Sequence, residues 1–286
     1  MPHSFSNPED YKNHSNLQYE FARVMLMKAK IKSSDRILDI GSGDGRITAD
    51  MAKMASRGMV IGTDISPEMM TAARKNHTSS HHKLAFMVMD AGQNVFQNQF
   101  DIVTSFCCLH WVKEQQQALH GIKAALVPGG QAVLLVPLRH QELYTAIEST
   151  VAAQKWQRYF EGFVNPHQFF TKEKYQQMLS EAQLKTQQLE QTLMTYEFDS
   201  KRAMELFLKA WLPHMNRLPE LLQDEFLSDI GDAFLKIVPL SCGKVLMPLT
   251  MLQVFACRPQ LSLQNTQGLF SEASPEEQAR PRLSKL

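Results

Sequence analysis

Several features that would define other classes of protein are missing from this sequence. No apolar run reaches the roughly 18 residues that a membrane-spanning helix needs. Residues 1–8 are polar and lack the apolar segment of a secretory signal peptide. Glycine and proline number 13 each in 286 residues, which excludes collagen-like and low-complexity chains. We therefore expect a folded cytoplasmic protein with no membrane span.

Cysteine is scarce, and neither sign of charge is in excess. The four cysteines show no Cys-x-x-Cys spacing, so we expect neither a disulfide framework nor a metal site. Lys and Arg total 30 against 29 Asp and Glu, which leaves a formal net charge of +1. Because nucleic-acid binders rely on neutralising phosphates, this balance argues against a nucleic-acid partner, although it leaves room for a local basic patch.

Between residues 36 and 137 the sequence contains short apolar runs separated by segments with helical spacing. Such runs are typical of parallel strands buried on both faces. The five runs are Arg36–Ile40, Met59–Asp64, Leu84–Met89, Phe100–Ser105 and Ala132–Val136. Helices are predicted over Arg46–Ser56 and over Pro67–Asn76 with Ser66 as N-cap, and a turn over Pro128–Gly130. This alternation predicts a doubly wound α/β sheet.

The second half of the chain is mostly helical. Helical apolar spacing covers Glu142–Gln157, Lys172–Ala182, Lys201–Trp211 and Glu220–Lys236. Leu193–Phe198 and Val245–Cys257 are candidates for two strands that return to the sheet, although Pro248 would bend or delay the second one. We thus expect a seven-stranded, mainly parallel sheet with a helical cap inserted near the C-terminal half. The expected parts are a core over 1–139, the cap and returning strands over 140–258, and a disordered polar tail over 259–286.

The most informative stretch connects the first strand to the helix after it. Gly41, Gly43 and Gly45 follow a buried run, and Arg46 begins a helix-compatible segment. Glycine permits a tight turn and close approach to a ligand, and a helix N-terminus favours a carboxylate or phosphate. A dinucleotide fingerprint would place its third glycine where Arg46 stands. The alternative is an ordinary tight turn without a ligand.

With Asp39 two residues before it, this turn resembles motif I of the class I S-adenosylmethionine-dependent methyltransferases. The resemblance implies a Rossmann-like fold and S-adenosyl-L-methionine as cofactor, with the turn around its methionine part. Further candidates lie where strands end, the edge at which such sheets bind ligands. Asp64 would accept hydrogen bonds from the ribose diol, Asp90 and Ala91 would contact adenine, and Ser105 and Phe106 would lie near the reactive end. The implied cofactor site comprises Asp39, Gly41, Ser42, Gly43, Asp64, Ile65, Asp90, Ala91, Ser105 and Phe106.

The segment after the fourth strand bears on which atom is methylated. Amino-directed DNA methyltransferases typically carry an Asn/Asp-Pro-Pro-aromatic motif there, whereas Ser105–Val112 contains no proline. This segment, with Ala118–Pro137, resembles the juvenile hormone acid O-methyltransferases. Tyr11–Gln18 upstream, and Lys155–Phe160 and Asn165–His167 downstream, resemble the same family. The trans-aconitate and malonyl-carrier-protein methyltransferases share the core pattern less closely.

This second resemblance implies a carboxylate acceptor whose oxygens receive hydrogen bonds from Gln18 and Trp111. A carboxylic acid has a pKa near 4.3 and is already ionised at neutral pH, so it needs desolvation and alignment rather than a general base. An amide and an indole N–H are neutral donors. Without the resemblance, Trp111 could be a core residue and Gln18 an exposed helix residue. The sequence therefore predicts an enzyme that esterifies a small to medium-sized apolar carboxylic acid.

Other interpretations stay open at this stage. The methyl acceptor could be a different atom or an acyl group on a carrier protein, and a non-catalytic domain could bind only the cofactor or a partner. His110 is either a base or a packed residue. Cys107 and Cys108 are expected to line a pocket or the core rather than act as nucleophiles. Aromatic residues near the cap would form packing or an apolar wall over the acceptor; they are Trp156, Tyr159, Phe160, Phe163, Phe169 and Phe170.

Overall fold

The computed structural model describes residues 16–78 and 83–260. Two sequence predictions lie largely outside them: the polar tail after residue 260, and the part of the Tyr11–Gln18 segment before residue 16. Among the described helices, none combines the length and the apolar character needed to cross a bilayer.

Helices and strands alternate through most of the described chain. In order they are α1 (Asn16–Lys28), β1 (Arg36–Ile40), α2 (Arg46–Met54), β2 (Met59–Asp64), α3 (Pro67–His77), β3 (Leu84–Val88), β4 (Phe100–Phe106), α4 (Gln115–Ala125), β5 (Leu126–Pro137), α5 (Gln141–Ala152), α6 (Lys172–Glu181), β6 (Lys185–Phe198), α7 (Lys201–Trp211), α8 (Glu220–Ile237) and β7 (Val245–Cys257).

The strands form one seven-stranded sheet in the order β3-β2-β1-β4-β5-β7-β6. Pairing among β1 to β5 is parallel, and β7 runs antiparallel to both β5 and β6. The strand order reverses direction at β1, which pairs with β2 on one side and with β4 on the other. The predicted doubly wound, mainly parallel sheet is confirmed, and its reversal point puts a crevice at the carboxyl ends of β1 and β4.

The structure differs from the sequence prediction at the start of β5. Pro128–Gly130 was expected to be a turn before the strand, but β5 already begins at Leu126. Residues 127–130 bulge outward opposite Asp101, since β5 pairs Leu126 with Phe100 and then Gln131 with Ile102. Gly129 has a φ of 84°, a conformation that glycine adopts without strain. The glycines therefore shape a bulge within the strand.

Helices cover both faces of the sheet, as a buried parallel sheet requires. One hydrophobic cluster packs α4 and α6 against one face, and another packs α1, α2 and α3 against the other. A third cluster joins α5, α7 and α8 to Phe198 and to the first half of β7. Because β7 runs antiparallel to β5, its first residues lie at the carboxyl edge of the parallel strands. We call residues 141–163 and 201–237, which lie at that edge, the helical layer.

Candidate functional site

The loop between β1 and α2 adopts a conformation that suits glycine alone. Gly41, Gly43 and Gly45 have φ angles of 75°, 54° and 83°. The Gly41 N–H donates to the Thr63 carbonyl of β2 at 2.7 Å, which draws the turn tightly against the sheet. A Cβ atom on Gly41 would overlap the side chain of Cys108. The loop backbone therefore packs directly against Cys108, and Gly41 and Gly43 also line a cavity beside the loop.

The carboxylate of Asp64, at the end of β2, reaches back to this loop. Its Oδ2 accepts a hydrogen bond from the Gly43 N–H at 3.1 Å, and its Oδ1 accepts one from the Ser66 N–H at 3.0 Å. Burial raises the pKa of Asp64, and the backbone hydrogen bonds oppose that rise. The side chain is half-buried and lines the same cavity as Gly41 and Gly43, so a ligand in this cavity can reach it.

Asp39 lies behind the loop. Its carboxylate accepts hydrogen bonds from the Thr48 hydroxyl at 2.6 Å and the Thr104 hydroxyl at 2.8 Å, which ties β1 to α2 and β4. Burial raises the pKa of Asp39 to about 6, against the effect of both hydroxyls. Asp39 and Ser42 line a smaller recess on the other side of the loop rather than the main cavity.

The remaining predicted cofactor residues differ in whether they line the main cavity. The Asp90 carboxylate accepts a hydrogen bond from the Gly92 N–H at 2.8 Å and caps a short 3-10 turn, and Ala91 is buried against the sheet. The Ser105 hydroxyl is buried and donates to a carbonyl of β1 at 2.9 Å. These three residues do not line the main cavity, whereas Phe106 does.

The main cavity extends from the glycine loop to the helical layer. Its wall brings together seven residues of the predicted cofactor and acceptor sites: Gln18, Gly41, Gly43, Asp64, Ile65, Phe106 and Trp111. His110, both adjacent cysteines and Phe169 also line it. Among the described residues its wall includes no lysine or arginine, and Asp64 is its one carboxylate. The cavity is thus aromatic and almost uncharged away from the loop.

Gln18 and Trp111 reach this cavity from separate elements. Gln18 lies on α1, and its side-chain Oε1 is buried without a hydrogen-bond partner in the described part of the chain. Trp111 ends a 3-10 turn after β4, and its ring meets that of His167 edge-on, with centroids 4.0 Å apart. Rotation of the Gln18 amide by 180° would present its N–H₂ donor in place of the carbonyl.

The wall contains further residues that sequence reasoning missed. They are Phe21, Met69, Pro137, His140, Tyr144, Phe207, Trp211, Leu249 and Met251. The Tyr144 hydroxyl lies 2.6 Å from Nδ1 of His167, a residue that the sequence offered only as part of a family resemblance. Local periodicity marks such positions only as buried helix or strand faces, and the packing that brings them to the glycine loop leaves no local signal.

Two histidines and two cysteines in the wall are held in their neutral forms. Burial lowers the pKa of His110 to about 3 and that of His140 to about 4. Burial also raises the pKa of the Cys107 thiol to about 12, and that of Cys108 in the same direction. At neutral pH these imidazoles are weak bases and these thiols are unreactive. Within the described residues, no group of three or more His, Cys, Asp or Glu could hold a metal ion.

Comparison with known proteins places this geometry in a family. A family model described as a methyltransferase domain matches residues 31–183. A juvenile hormone acid O-methyltransferase of Drosophila melanogaster is 31% identical over 224 residues, which cover 74% of this chain and 74% of that protein. A trans-aconitate 2-methyltransferase of Variovorax paradoxus is 26% identical over 148 residues, which cover 52% and 56%.

Solved structures show the same fold. A phosphoethanolamine N-methyltransferase of Haemonchus contortus, solved with phosphomonomethylethanolamine and S-adenosylhomocysteine, aligns with a TM-score of 0.60 at 18% identity. The alignment covers 91% of this chain and 59% of that one. The family match, the Drosophila relative and the sheet order lead to one conclusion: this chain is an enzyme that belongs to the class I methyltransferases and uses S-adenosyl-L-methionine as its cofactor.

Proposed function

We propose that this enzyme transfers a methyl group from S-adenosyl-L-methionine to the carboxylate of a small to medium-sized apolar acid. The products are a methyl ester and S-adenosylhomocysteine. The observation that carries the proposal is the wall of the main cavity, which offers aromatic rings and neutral donors and, among the described residues, no cationic side chain. The Drosophila relative is named for an acid substrate. A tricarboxylate such as trans-aconitate would favour cationic partners, so we infer a less polar acid here.

The residues around the glycine loop fit the cofactor. Gly41 and Gly43 line the cavity with φ angles that favour glycine, and the half-buried Asp64 carboxylate ends β2 where a ribose diol would meet it. We assign Gly41, Gly43 and Asp64 to direct contact. Bound S-adenosyl-L-methionine supplies a methyl group on a positively charged sulfur. We assign the remainder of the cofactor site, partly in supporting roles, to Asp39, Ser42, Ile65, Asp90, Ala91, Ser105 and Phe106.

Gln18 and Trp111 are proposed to orient the acceptor. Both line the cavity beside the glycine loop, and the buried Gln18 amide has an unused hydrogen-bonding atom. Neutral amide and indole donors would fix the two carboxylate oxygens without neutralising their charge. The apolar wall would strip water from the carboxylate and so favour its attack on the methyl group.

The neutral imidazoles favour a carboxylate over an alcohol or amine acceptor. An alcohol or a protonated amine needs a base whose pKa lies near the working pH. Burial lowers the pKa of His110 to about 3 and that of His140 to about 4, well below that range. A carboxylate is already ionised at neutral pH, so its methylation needs no base from the protein. We therefore assign His110 to the wall rather than to proton transfer.

We also propose that two parts of the chain have different roles. Residues 1–139 form the cofactor-binding core, and residues 140–258 supply a helical cap and the strands that return to the sheet. The separate hydrophobic cluster of the helical layer supports this division. Within 140–258, α6 packs with the sheet through Tyr175 and Leu179, so we assign it to the core rather than to the cap.

Incubation with cofactor labelled in its methyl group and a panel of apolar acids tests this function. We expect labelled product that mild base hydrolyses, because esters are base-labile and methyl amines and C-methyl groups are not. Gln18→Ala and Trp111→Phe should each reduce kcat/KM for the acid by about tenfold to a hundredfold, because a misaligned acceptor reacts slowly. Cofactor affinity should stay unchanged in both variants.

Gln177→Ala and Trp156→Phe serve as matched controls, since Gln177 is exposed on α6 and Trp156 is buried away from the cavity wall. Gln177→Ala should keep normal turnover, and Trp156→Phe, which loosens the helical layer away from the cavity wall, should reduce kcat/KM by less than Trp111→Phe does. A base-stable product, or full activity in both the Gln18 and Trp111 variants, would refute the proposed acceptor.

A further inference from the structure

The tryptophans of this chain differ in how their indole N–H groups are used. In Trp156, which is buried in the helical layer, the N–H donates to the Asp229 carboxylate at 2.7 Å. In Trp211, the last residue of α7, the N–H is buried and has no hydrogen-bond partner among the described residues. A buried donor without a partner is destabilising unless a ligand satisfies it.

The unpaired indole N–H of Trp211 belongs to a residue that lines the main cavity. Tyr175 and His214 also carry buried polar atoms without a partner in the described part of the chain, but neither lines the main cavity. Trp211 does line it, as do Gln18 and His110, which each have a buried atom in the same condition. The unpaired groups around this cavity thus exceed what a single carboxylate held by Gln18 and Trp111 would use.

The His167 side chain connects Trp211 with Trp111 in the cavity wall. The ring of His167 contacts both indoles, with centroid separations of 4.0 Å to Trp111 and 5.7 Å to Trp211. On its other side Trp211 packs edge-on against Phe207, at 5.9 Å. An acceptor with its carboxylate at Trp111 that runs past His167 would reach an aromatic region that contains one neutral donor.

We propose that Trp211 is a specificity-determining residue whose indole N–H donates to an uncharged oxygen carried along the acceptor chain. The preferred substrates are then oxygenated apolar acids, with a carbonyl, ether or hydroxyl oxygen, rather than plain hydrocarbon acids. One N–H in an aromatic wall suits an uncharged oxygen, whereas a second carboxylate would need several donors or a cation. This inference rests on the proposed function, because it takes the carboxylate at Gln18 and Trp111 as the reacting group.

A substrate series tests the inference by turnover. Dodecanoic acid is compared with a set of isomeric keto derivatives (oxododecanoic acids), which differ only in the position of one chain carbonyl. In the wild type, the best isomer should exceed the plain acid in kcat/KM by about three- to tenfold, the effect of one net hydrogen bond. Trp211→Phe keeps a ring and removes the N–H, so it should bring this ratio close to one, whatever its effect on turnover of the plain acid. Trp156→Phe should keep the wild-type ratio.

A spectroscopic measurement tests the same contact without turnover. The chain has 3 tryptophans, so ¹⁵N labelling of the indoles gives a spectrum that Trp→Phe variants can assign. With S-adenosylhomocysteine present, the best keto isomer should shift the Trp211 N–H signal downfield relative to dodecanoic acid. Equal signals with both acids, or an equal turnover ratio in wild type and Trp211→Phe, would overturn the inference.

Failure of this inference differs from failure of the proposed function. If esters form but no position of the carbonyl matters, the Trp211 contact is wrong and carboxyl methylation stands. If no acid is esterified and none shifts the Trp211 signal, both are wrong.

Discussion

At the scale of single residues, the two aspartates beside the glycine loop have different environments. Asp39 is buried, and both of its carboxylate oxygens accept hydrogen bonds from threonine hydroxyls. Asp64 is half-buried, and it accepts its hydrogen bonds from backbone N–H groups that border the cavity. Asp39 is therefore placed to hold the loop against the sheet, whereas Asp64 is placed to meet a ligand.

Replacing Asp64 by alanine should weaken cofactor binding. Loss of two hydrogen bonds to a charged group should lower the affinity for S-adenosylhomocysteine by about tenfold or more, measured by calorimetry. Asp101→Ala is the matched control, since Asp101 pairs with Arg36 on the surface at 3.3 Å and does not line the main cavity. Unchanged affinity in Asp64→Ala would rule out its assignment to the ribose.

Tyr144 is expected to act on the reaction through its neighbour. Its hydroxyl lies 2.6 Å from Nδ1 of His167, and the His167 ring meets Trp111 edge-on. In Tyr144→Phe the imidazole loses this partner, so the Trp111 indole should be held less precisely. We expect kcat for methyl transfer to fall by about three- to tenfold while the Kd of the cofactor stays unchanged.

Tyr196→Phe is the control for this prediction, because Tyr196 packs in the helical layer and does not line the cavity. Equal falls in kcat for the two variants would point to a general loosening of the layer. A parallel loss of cofactor affinity in Tyr144→Phe would also contradict a role for Tyr144 in positioning the acceptor.

At the scale of helices and strands, the sequence predicts best where one local force dominates. The bounds of β1, β2, α7 and β7 coincide with the predicted ones. In β1 and β2 the apolar run is bounded by polar or glycine residues, and in α7 a serine N-cap precedes an amphipathic segment and a proline follows soon after. A strand that is buried on both faces of the sheet has a continuous run of apolar residues, and such a run can be recognised in the sequence.

The bounds of strands are predicted least well where pairing with a distant strand determines them. β6 was expected over Leu193–Phe198 but begins at Lys185, because its first half is a polar edge strand that pairs only with β7. Pro128–Gly130 has turn chemistry, yet it forms a bulge because Gly129 and Gly130 pair with Arg258 at the end of β7. Neither partner is close in sequence, so no local pattern reveals the pairing.

Residues of the candidate site were also predictable only where their signal is local in the sequence. Gly41, Gly43 and Asp64 could be found because the glycine spacing and the strand end are local features, and they meet in one cavity. Tyr144 and Trp211 could not, because each belongs to a helix whose position depends on packing of the whole helical layer. The sequence thus locates the proposed cofactor end of the cavity better than its proposed acceptor end.

The junction of β5 and α5 should make the fold sensitive to acid. His140 precedes α5, and its Nδ1 accepts a hydrogen bond from the Thr250 N–H of β7 at 3.1 Å. Burial lowers the pKa of His140 from its usual 6.5 to about 4. A depressed pKa means that the unfolded chain binds the proton more readily. The stability that this residue contributes is therefore present above about pH 6.5 and is lost as the pH falls toward 4.

His140→Asn should reduce this acid sensitivity, because the asparagine carbonyl can still accept from Thr250 but does not titrate. Between pH 7 and pH 4, wild type should lose up to about 3 kcal/mol more free energy of unfolding than the variant, measured by urea titration. His120→Asn, at an exposed histidine on α4, should keep the wild-type profile. Parallel pH profiles for wild type and His140→Asn would contradict this account.

At the scale of the whole molecule, burial rather than charge holds the helical layer to the sheet. Ion pairs such as Lys155–Glu225 and Lys209–Asp224 lie on its outer surface, where a pair contributes at most about 1 kcal/mol. Phe226 and Phe234 are fully buried in its own cluster, which is distinct from the two clusters that flank the sheet. Residues of this layer and of the sheet line the cavity together, so the proposed acceptor site should depend on both and the proposed cofactor site mainly on the sheet.

A matched pair of core substitutions tests whether the helical layer and the sheet can open independently. Phe226 and Phe100 are both fully buried, Phe226 against Trp156 in the helical layer and Phe100 against Phe96 at the start of β4. Replacement by leucine should lower the free energy of unfolding by about 1–2 kcal/mol in either case. Only Phe226→Leu should speed amide hydrogen exchange in α5 and α8, since local opening follows the cluster that has lost packing.

Phe226→Leu should also reduce turnover of the acid by about two- to tenfold without changing the Kd of S-adenosylhomocysteine, because a loosened layer orders the acceptor less well. Phe100→Leu should change neither quantity at a temperature where both variants are folded. If both substitutions speed exchange equally across the sheet and the layer, the molecule opens as a single unit. The loss of turnover in Phe226→Leu would then have to come from the fraction of unfolded enzyme, and the activity of the two variants should fall in step as the temperature rises.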